Sequence, residues 1–115
     1  MDWTKKRCVP CEGGVPKMER PRAEELLGTL EGWDLQGDRL HRHFRFRDFA
    51  GAMRFVNAIA ELAEQEGHHP DFSLHGWNLL DVTTSTHAIG GLSENDFILA
   101  GKIDRLPREA PPEGR

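Results

Sequence analysis

Residues 48–70 read DFAGAMRFVNAIAELAEQEGHHP and hold the clearest helical pattern in the chain. Apolar side chains recur there at offsets of three and four, at Phe49, Ala52, Met53, Val56, Ile59, Ala60 and Ala63. This spacing predicts a helix of about four turns with one face packed on a sheet. Asp48 is a suitable N-cap, and Gly67 is a natural C-terminal stop. The paired histidines His68 and His69 therefore come directly after the end of the helix.

Two pairs of strand-like segments flank this helix. The first pair, WDLQGDRLHRHFRF at 33–46, predicts a hairpin, because a Gly-Asp pair supplies its turn. Its second half alternates apolar residues with His41 and His43, so these histidines are expected on the solvent face. Arg42 interrupts the apolar face and is expected near a sheet edge. The second pair lies within Leu74–Thr86, on either side of HGWN, and its Thr-rich half is β-prone.

Shorter helices are predicted at both ends of the domain. Near the start, Pro21 suits the first turn of a helix whose apolar face carries Leu26, Leu27 and Leu30. Near the end, SEND at 93–96 is a capping box, followed by the core-facing residues Leu99, Ala100, Ile103 and Leu106. The order helix, strand, strand, helix, strand, strand, helix predicts an α+β fold. We expect a four-stranded antiparallel sheet with about three helices packed on one face.

The length and composition fit one small domain. The 115 residues divide into an irregular Gly/Pro-rich arm over 1–18, a single domain over 19–106 and a flexible tail over 107–115. The net charge of -4 argues against nucleic-acid binding, which needs a basic face. No apolar run reaches about 18 residues, and the N-terminus lacks the apolar stretch of a signal peptide. Neither a membrane span nor export is expected, and a cytoplasmic location is predicted.

The arm carries a lone C-x-x-C formed by Cys8 and Cys11. A redox-active pair is expected between a strand and a helix, and a zinc site needs further ligands at matching spacing. The arm provides neither context. The pattern therefore favours reduced cysteines in a partly packed arm, with the redox and zinc interpretations as alternatives.

Histidines that could move protons lie at the end of the long helix. Glu64 precedes His68 by four residues, the spacing that stacks side chains on one helix face. Pro70 pushes His69 toward an extended backbone. His87 ends the Thr-rich strand and is expected to fold back onto the same pocket. Imidazole titrates at about pH 6.5, so one ring could accept a proton while another donates one. We therefore expect the activity to change between about pH 6 and 7.

Other interpretations of these residues stay open. Histidine is common at helix C-termini, because its cation complements the helix dipole. Three histidines can also hold a catalytic zinc, although neighbouring histidines seldom ligate one tetrahedral ion without strain. Trp33 and Trp77 are more typical of a core or an interface than of a ring-stacking platform. No Ser or Cys lies within a sequence motif typical of a catalytic nucleophile, and no Gly-rich phosphate-binding loop occurs.

Several motifs, in the same order along the chain, resemble the pterin-4a-carbinolamine dehydratase family. They are GW at 32–33, FRFRDF at 44–49, EQEGHHP at 64–70, an aromatic residue at Trp77, and STHAIGGLSENDFILAGKID at 85–104. The match runs from about residue 20 to residue 106. The chain departs from animal members at Gly67, where they carry an acid, and its Cys8–Cys11 arm is an addition relative to short members of the family.

The resemblance implies a hydro-lyase that removes water from 4a-hydroxytetrahydrobiopterin to give quinonoid dihydropterin, a step in tetrahydrobiopterin recycling. The 4a-hydroxyl leaves with a proton and N5 loses one, which histidine general acid/base catalysis would supply. Carried over position by position, the catalytic residues would be His68, His69 and His87. Supporting carboxylates would be Glu64 and Asp96, and residues binding the pterin would be Trp33, Pro70, Ser85 and Thr86.

The same resemblance implies no metal and no bound cofactor, since the pterin is the substrate. It implies a homodimer or homotetramer, with an aromatic amino acid hydroxylase as one candidate partner. An alternative function is a non-catalytic dimerisation or assembly module on the same fold. Three titratable rings at one mouth favour the enzyme, because a scaffold has no physical need for them.

Overall fold

The structure is a computed structural model and describes residues 2–9 and 16–108. Its helices are α1 (Arg20–Leu27), α2 (Phe49–Glu66) and α3 (Glu94–Asp104), and its strands are β1 (Asp34–Gln36), β2 (Arg39–Arg45), β3 (Asp71–His75) and β4 (Leu79–Thr84). Short 3-10 turns cover Trp3–Lys5 and His87–Ile89. The predicted α+β class and element order are confirmed. Within the described residues, no helix has the length and apolar character needed to cross a membrane.

The strands form one antiparallel sheet in the order β1-β2-β4-β3. In the central β2–β4 ladder, Leu40 pairs with Thr84 and Phe44 with Leu80. Because strand side chains alternate, these even-numbered residues face the helices and the core, while the odd-numbered ones form the outer face. Strand β3 begins at Asp71, before the expected Leu74, because the pairing with β4 continues back to that residue.

Helix α2 begins and ends at the predicted caps. Asp48 Oδ1 accepts the Gly51 N–H at 2.7 Å, and Gly67 ends the helix in the left-handed conformation at φ 66°. The buried stripe is shifted from the predicted one, because Phe49 and Ala60 are exposed. It runs instead along Ala52, Phe55, Val56, Ile59 and Ala63. The ring of Phe55 fills the centre of this face, 4.9 Å from the Phe44 ring and 5.3 Å from the Phe46 ring.

Arg42 lies on the helix-covered face and is paired with a carboxylate. Its guanidinium donates to Asp104 Oδ1 at 2.6 Å, and Trp33 Nε1 donates to the same oxygen at 2.8 Å. Burial raises the pKa of Asp104, while the hydrogen bonds from Trp33 and Arg42 oppose that rise. The expectation that Arg42 lies near a sheet edge agrees with the register, because β1 pairs only with residues 39–41 of β2 and Arg42 follows the last of these pairs. The ion pair is what allows a cation at this position.

Part of the N-terminal arm packs onto the domain. Trp3 is buried against α3, and a Cβ at Gly101 would lie 2.5 Å from Trp3 Cβ, so only glycine fits there. Burial, with Glu66 beside it, raises the pKa of the half-buried Cys8 thiol to about 12. A protonated thiol is a poor nucleophile and a poor metal ligand. Cys11 and the tail beyond residue 108 lie outside the described residues.

Three histidines surround one carboxylate on the outer face of the sheet. Asp81 Oδ1 lies 2.9 Å from His41 Nε2 and 3.0 Å from His43 Nδ1, and Oδ2 lies 2.9 Å from His75 Nε2. Hydrogen bonds from His75 and His41 hold the pKa of Asp81 well below its usual range. Burial lowers the pKa of His41, but hydrogen bonds to Asp81 and Asp34 outweigh it and raise the pKa overall.

These shifts predict that Asp81→Asn lowers the free energy of unfolding most at about pH 5.5. A lowered Asp pKa contributes stability above about pH 4 that is lost as the pH falls. A raised His41 pKa contributes stability below about pH 6.5 that is lost as the pH rises through the raised pKa. We expect urea unfolding to show a loss of about 1 to 2 kcal/mol at about pH 5.5 and a smaller loss at about pH 9.

Ser73→Ala is the matched control for this variant, because Ser73 pairs with Asp81 on β3 and shares its face of the sheet. It should change stability little at either pH. Equal losses for Asp81→Asn at both pH values would contradict the electrostatic account of the cluster.

Candidate functional site

The C-terminus of α2, the end of β4 and the N-terminus of α3 meet around one pocket of about 240 Å³. Its walls include His68, His69, Ser85, Thr86 and His87. The glycine stop of α2 places the histidine doublet there, and the 3-10 turn after β4 places the third ring. The structure therefore brings His87 onto the pocket of the doublet.

Asp96 fixes the orientation of His68 from inside the protein. The carboxylate is fully buried, and its Oδ1 lies 2.7 Å from His68 Nε2. The other donors are the hydroxyls of Thr84 at 2.7 Å and Thr86 at 2.8 Å, and the Ser93 N–H at 3.0 Å. An ionised carboxylate only accepts, so Nε2 of His68 carries the proton and Nδ1 of the neutral ring is an acceptor.

The capping box of α3 explains how this carboxylate reaches its position. Ser93 is the N-cap and Asp96 the third helical residue, and the reciprocal bonds predicted from the sequence are both present. A capping acid is ordinarily exposed, but Thr84 and Thr86 on the neighbouring chain segment bury this one. The sequence analysis missed Thr84. Its spacing could have identified it, because Thr84 lies two positions before Thr86 and therefore on the same side of the Thr-rich strand.

The other two imidazoles are more open to solvent. His69 Nε2 lies 2.5 Å from Glu64 Oε2, and both side chains are exposed. His87 is exposed at the start of its turn, which a backbone bond from the Thr86 N–H to Gly91 O closes at 2.7 Å. Within residues 2–9 and 16–108, the His87 imidazole has no hydrogen-bond partner, so both ring nitrogens are available to a ligand.

Two of the residues predicted to bind the pterin do not line this pocket. Trp33 is buried at the opposite end of α3, where it bonds to Asp104, and the 11 residues of α3 span about 16 Å. Pro70 follows the doublet but does not line the pocket. A larger hollow of about 440 Å³ beside Trp3 and Asp104 has no histidine among its lining residues. Among the described side chains, no three His, Cys, Asp or Glu residues are grouped to hold a metal ion.

The family model for pterin 4 alpha carbinolamine dehydratase matches residues 16–106, a range that contains all three histidines of the pocket. This chain belongs to that family. A relative from Nitrosomonas eutropha that carries the family's name is 51% identical over 106 residues, which are 91% of this chain and 93% of that protein. Pterin-4-alpha-carbinolamine dehydratase 2, mitochondrial, from Arabidopsis thaliana is 46% identical over 94% of this chain and 60% of that protein.

Solved structures agree with the family. A Brucella melitensis protein described as a transcriptional coactivator/pterin dehydratase is 33% identical, with a TM-score of 0.71 over 76% of this chain and 95% of that one. A pterin dehydratase-like protein described as a RuBisCO assembly factor in the alpha-carboxysome is 27% identical, with a TM-score of 0.54 over 64% of this chain and 87% of that one. The family and the dehydratase class predicted from the sequence are confirmed.

Proposed function

We propose that His68, His69 and His87 carry out general acid/base catalysis of pterin 4a-carbinolamine dehydration in this pocket, with Glu64 and Asp96 as supporting carboxylates. The observation that carries the assignment is the convergence of three imidazoles on one pocket. As a member of its family, the chain is a hydro-lyase that acts on 4a-hydroxytetrahydrobiopterin and gives quinonoid dihydropterin. Ser85 and Thr86, which also line the pocket, are proposed to contact the pterin.

The reaction needs two proton transfers that these residues can divide between them. The C4a–O bond breaks as the 4a-hydroxyl gains a proton and leaves as water, and the C4a=N5 double bond forms as N5 loses its proton. His68, whose Nε2–H is held by Asp96, presents Nδ1 as the base for N5–H. His87, which has no partner among the described residues, is the acid that protonates the hydroxyl. His69, bonded to Glu64, supports the pair at the mouth.

Stopped-flow dehydration of synthetic carbinolamine by the wild-type protein tests this function. We expect at least about a hundredfold acceleration over the spontaneous reaction, the lower limit for one well-placed general acid or base. A rate equal to the spontaneous one would overturn the catalytic proposal. It would favour a binding or assembly module, the role in the description of the alpha-carboxysome relative.

The association state and partners follow as further parts of the proposal. Strand β3 is an edge strand, and the half-exposed ring of Phe72 on it offers apolar surface, which supports a homodimer or homotetramer. An aromatic amino acid hydroxylase would supply the substrate, because such enzymes use the tetrahydropterin as cofactor.

A further inference from the structure

One wall of the histidine pocket comes from the N-terminal arm rather than from the sheet or the helices. Val9 lines the pocket, and 64% of its surface is exposed. The pterin is a flat heterocycle. An exposed apolar side chain at the pocket can therefore pack against the face of its ring. The Val9 side chain has no group that could donate or accept a proton.

The backbone of Val9 is held in place by one buried side chain. The Val9 N–H donates to Asn95 Oδ1 at 3.0 Å, and Asn95 Nδ2 donates to Val9 O at 2.6 Å. Asn95 is buried in the first turn of α3, next to Asp96. The Asn95 amide thus bonds both backbone groups of Val9. The first turn of α3 therefore positions both Val9 and Asp96, the carboxylate that bonds to His68.

A second anchor ties the preceding residue to the end of α2. The Glu66 carboxylate is only 4% exposed and accepts the Cys8 N–H at 2.9 Å and Lys102 Nζ at 2.7 Å. Burial raises the pKa of Glu66, but the hydrogen bonds from Lys102 and Cys8 outweigh it and lower the pKa overall. Glu66 lies two residues before His68. The arm is therefore fixed on both sides of the pocket, to α2 through Glu66 and to α3 through Asn95.

We propose that Val9 is a substrate-contact residue of the dehydratase site, packing against the face of the pterin ring, and that Asn95 is the positioning residue that holds it there. This inference rests on the proposed function and adds a specificity element that lies outside the histidine motif. Because Val9 can only contribute contact area, its loss weakens binding of the substrate and the transition state alike. Such a loss raises KM and leaves kcat unchanged.

The test compares Val9→Ala, Val9→Ile and Asn95→Ala with wild type in stopped-flow dehydration of synthetic carbinolamine. For Val9→Ala we expect KM to rise about three- to tenfold with kcat within about twofold, while Val9→Ile keeps the wild-type KM. Asn95→Ala should raise KM similarly. The Kd for 7,8-dihydrobiopterin, measured by fluorescence, should rise by the same factor in both alanine variants.

Lys6→Ala is the matched control, because it removes the exposed arm contact between Lys6 Nζ and Glu94 Oε1 without touching the pocket. Phe49→Ala controls for loss of an exposed apolar side chain, since Phe49 lies at the other end of α2, about 25 Å away. Both should keep the wild-type KM. If Asn95→Ala lowers the melting temperature, the exposed Val9 variants decide the question.

An unchanged KM and Kd in Val9→Ala, in a wild-type background that turns over, would overturn this inference and leave the proposed function standing. A fall in kcat without a change in KM would also overturn it, since the arm would then act on the chemistry rather than on binding. Failure of the proposed function is distinguishable, because the wild-type protein itself would then show no acceleration.

Discussion

His87→Ala is expected to slow carbinolamine dehydration by about 10² to 10⁴-fold, the range for removing one general acid or base. The ring is exposed at the pocket and has no hydrogen-bond partner among the described residues, so its removal leaves no structural bond broken. The melting temperature and the size of the oligomer should therefore stay at wild-type values. The loss should appear in kcat, since proton transfer to the leaving hydroxyl takes place only in the transition state.

His43→Ala is the matched control for this prediction. It also removes an exposed imidazole, but from the outer face of the sheet beside Asp81, and it should leave kcat unchanged. Added imidazole should restore part of the rate of His87→Ala, because the vacated position is open to solvent. Wild-type turnover in His87→Ala would remove this ring from the mechanism and, with it, the assignment of the leaving-group acid.

Local signals in the sequence were sufficient for much of the fold. Asp48, Gly67 and Ser93 each act through residues within four positions along the chain, so pattern and capping chemistry predicted the bounds of α2 and the start of α3. The exposed Phe49 shows where such signals end. The spacing of Phe49 fits the apolar stripe, but burial depends on the position of the sheet. The sheet covers Phe55 and leaves Phe49 exposed.

Contacts that depend on strand order could not be read from the chain. Arg42 bonds to Asp104 across 62 positions of the chain. The Asp81 cluster exists only because β2 and β3 bring three histidines to one carboxylate on β4. The same holds in the site. The histidine doublet was evident, whereas the contact of Asn95 with Val9 spans 86 positions and has no local pattern.

Asp96→Ala is expected to destabilise the fold by about 3 to 5 kcal/mol, because four hydrogen-bond donors lose one buried acceptor group at once. The variant leaves the Thr84 and Thr86 hydroxyls, the Ser93 N–H and His68 Nε2 without their shared acceptor in a dry environment. Each unsatisfied donor carries a penalty of about 1 to 3 kcal/mol, and the hydroxyls can rotate to reduce theirs. Urea unfolding with an unchanged m-value would measure the difference.

Asp96→Asn separates this structural role from the catalytic one. The amide keeps the volume but only one acceptor oxygen. Because the Ser93 N–H can only donate, that oxygen stays at the Oδ2 position and the NH₂ faces His68. We therefore expect a smaller loss of stability with a large loss of kcat. The loss of kcat comes from the tautomer of His68. A neutral ring that no longer donates through Nε2 carries its proton on Nδ1, and Nδ1 then cannot act as the base. Glu94→Ala is the control: Glu94 lies in the same helical turn, is exposed and forms a surface ion pair with Lys6. This variant should change stability by less than about 0.5 kcal/mol and leave kcat unchanged. Wild-type kcat in a stable Asp96→Asn protein would mean that the carboxylate only caps α3, and that His68 is oriented by something other than its buried partner.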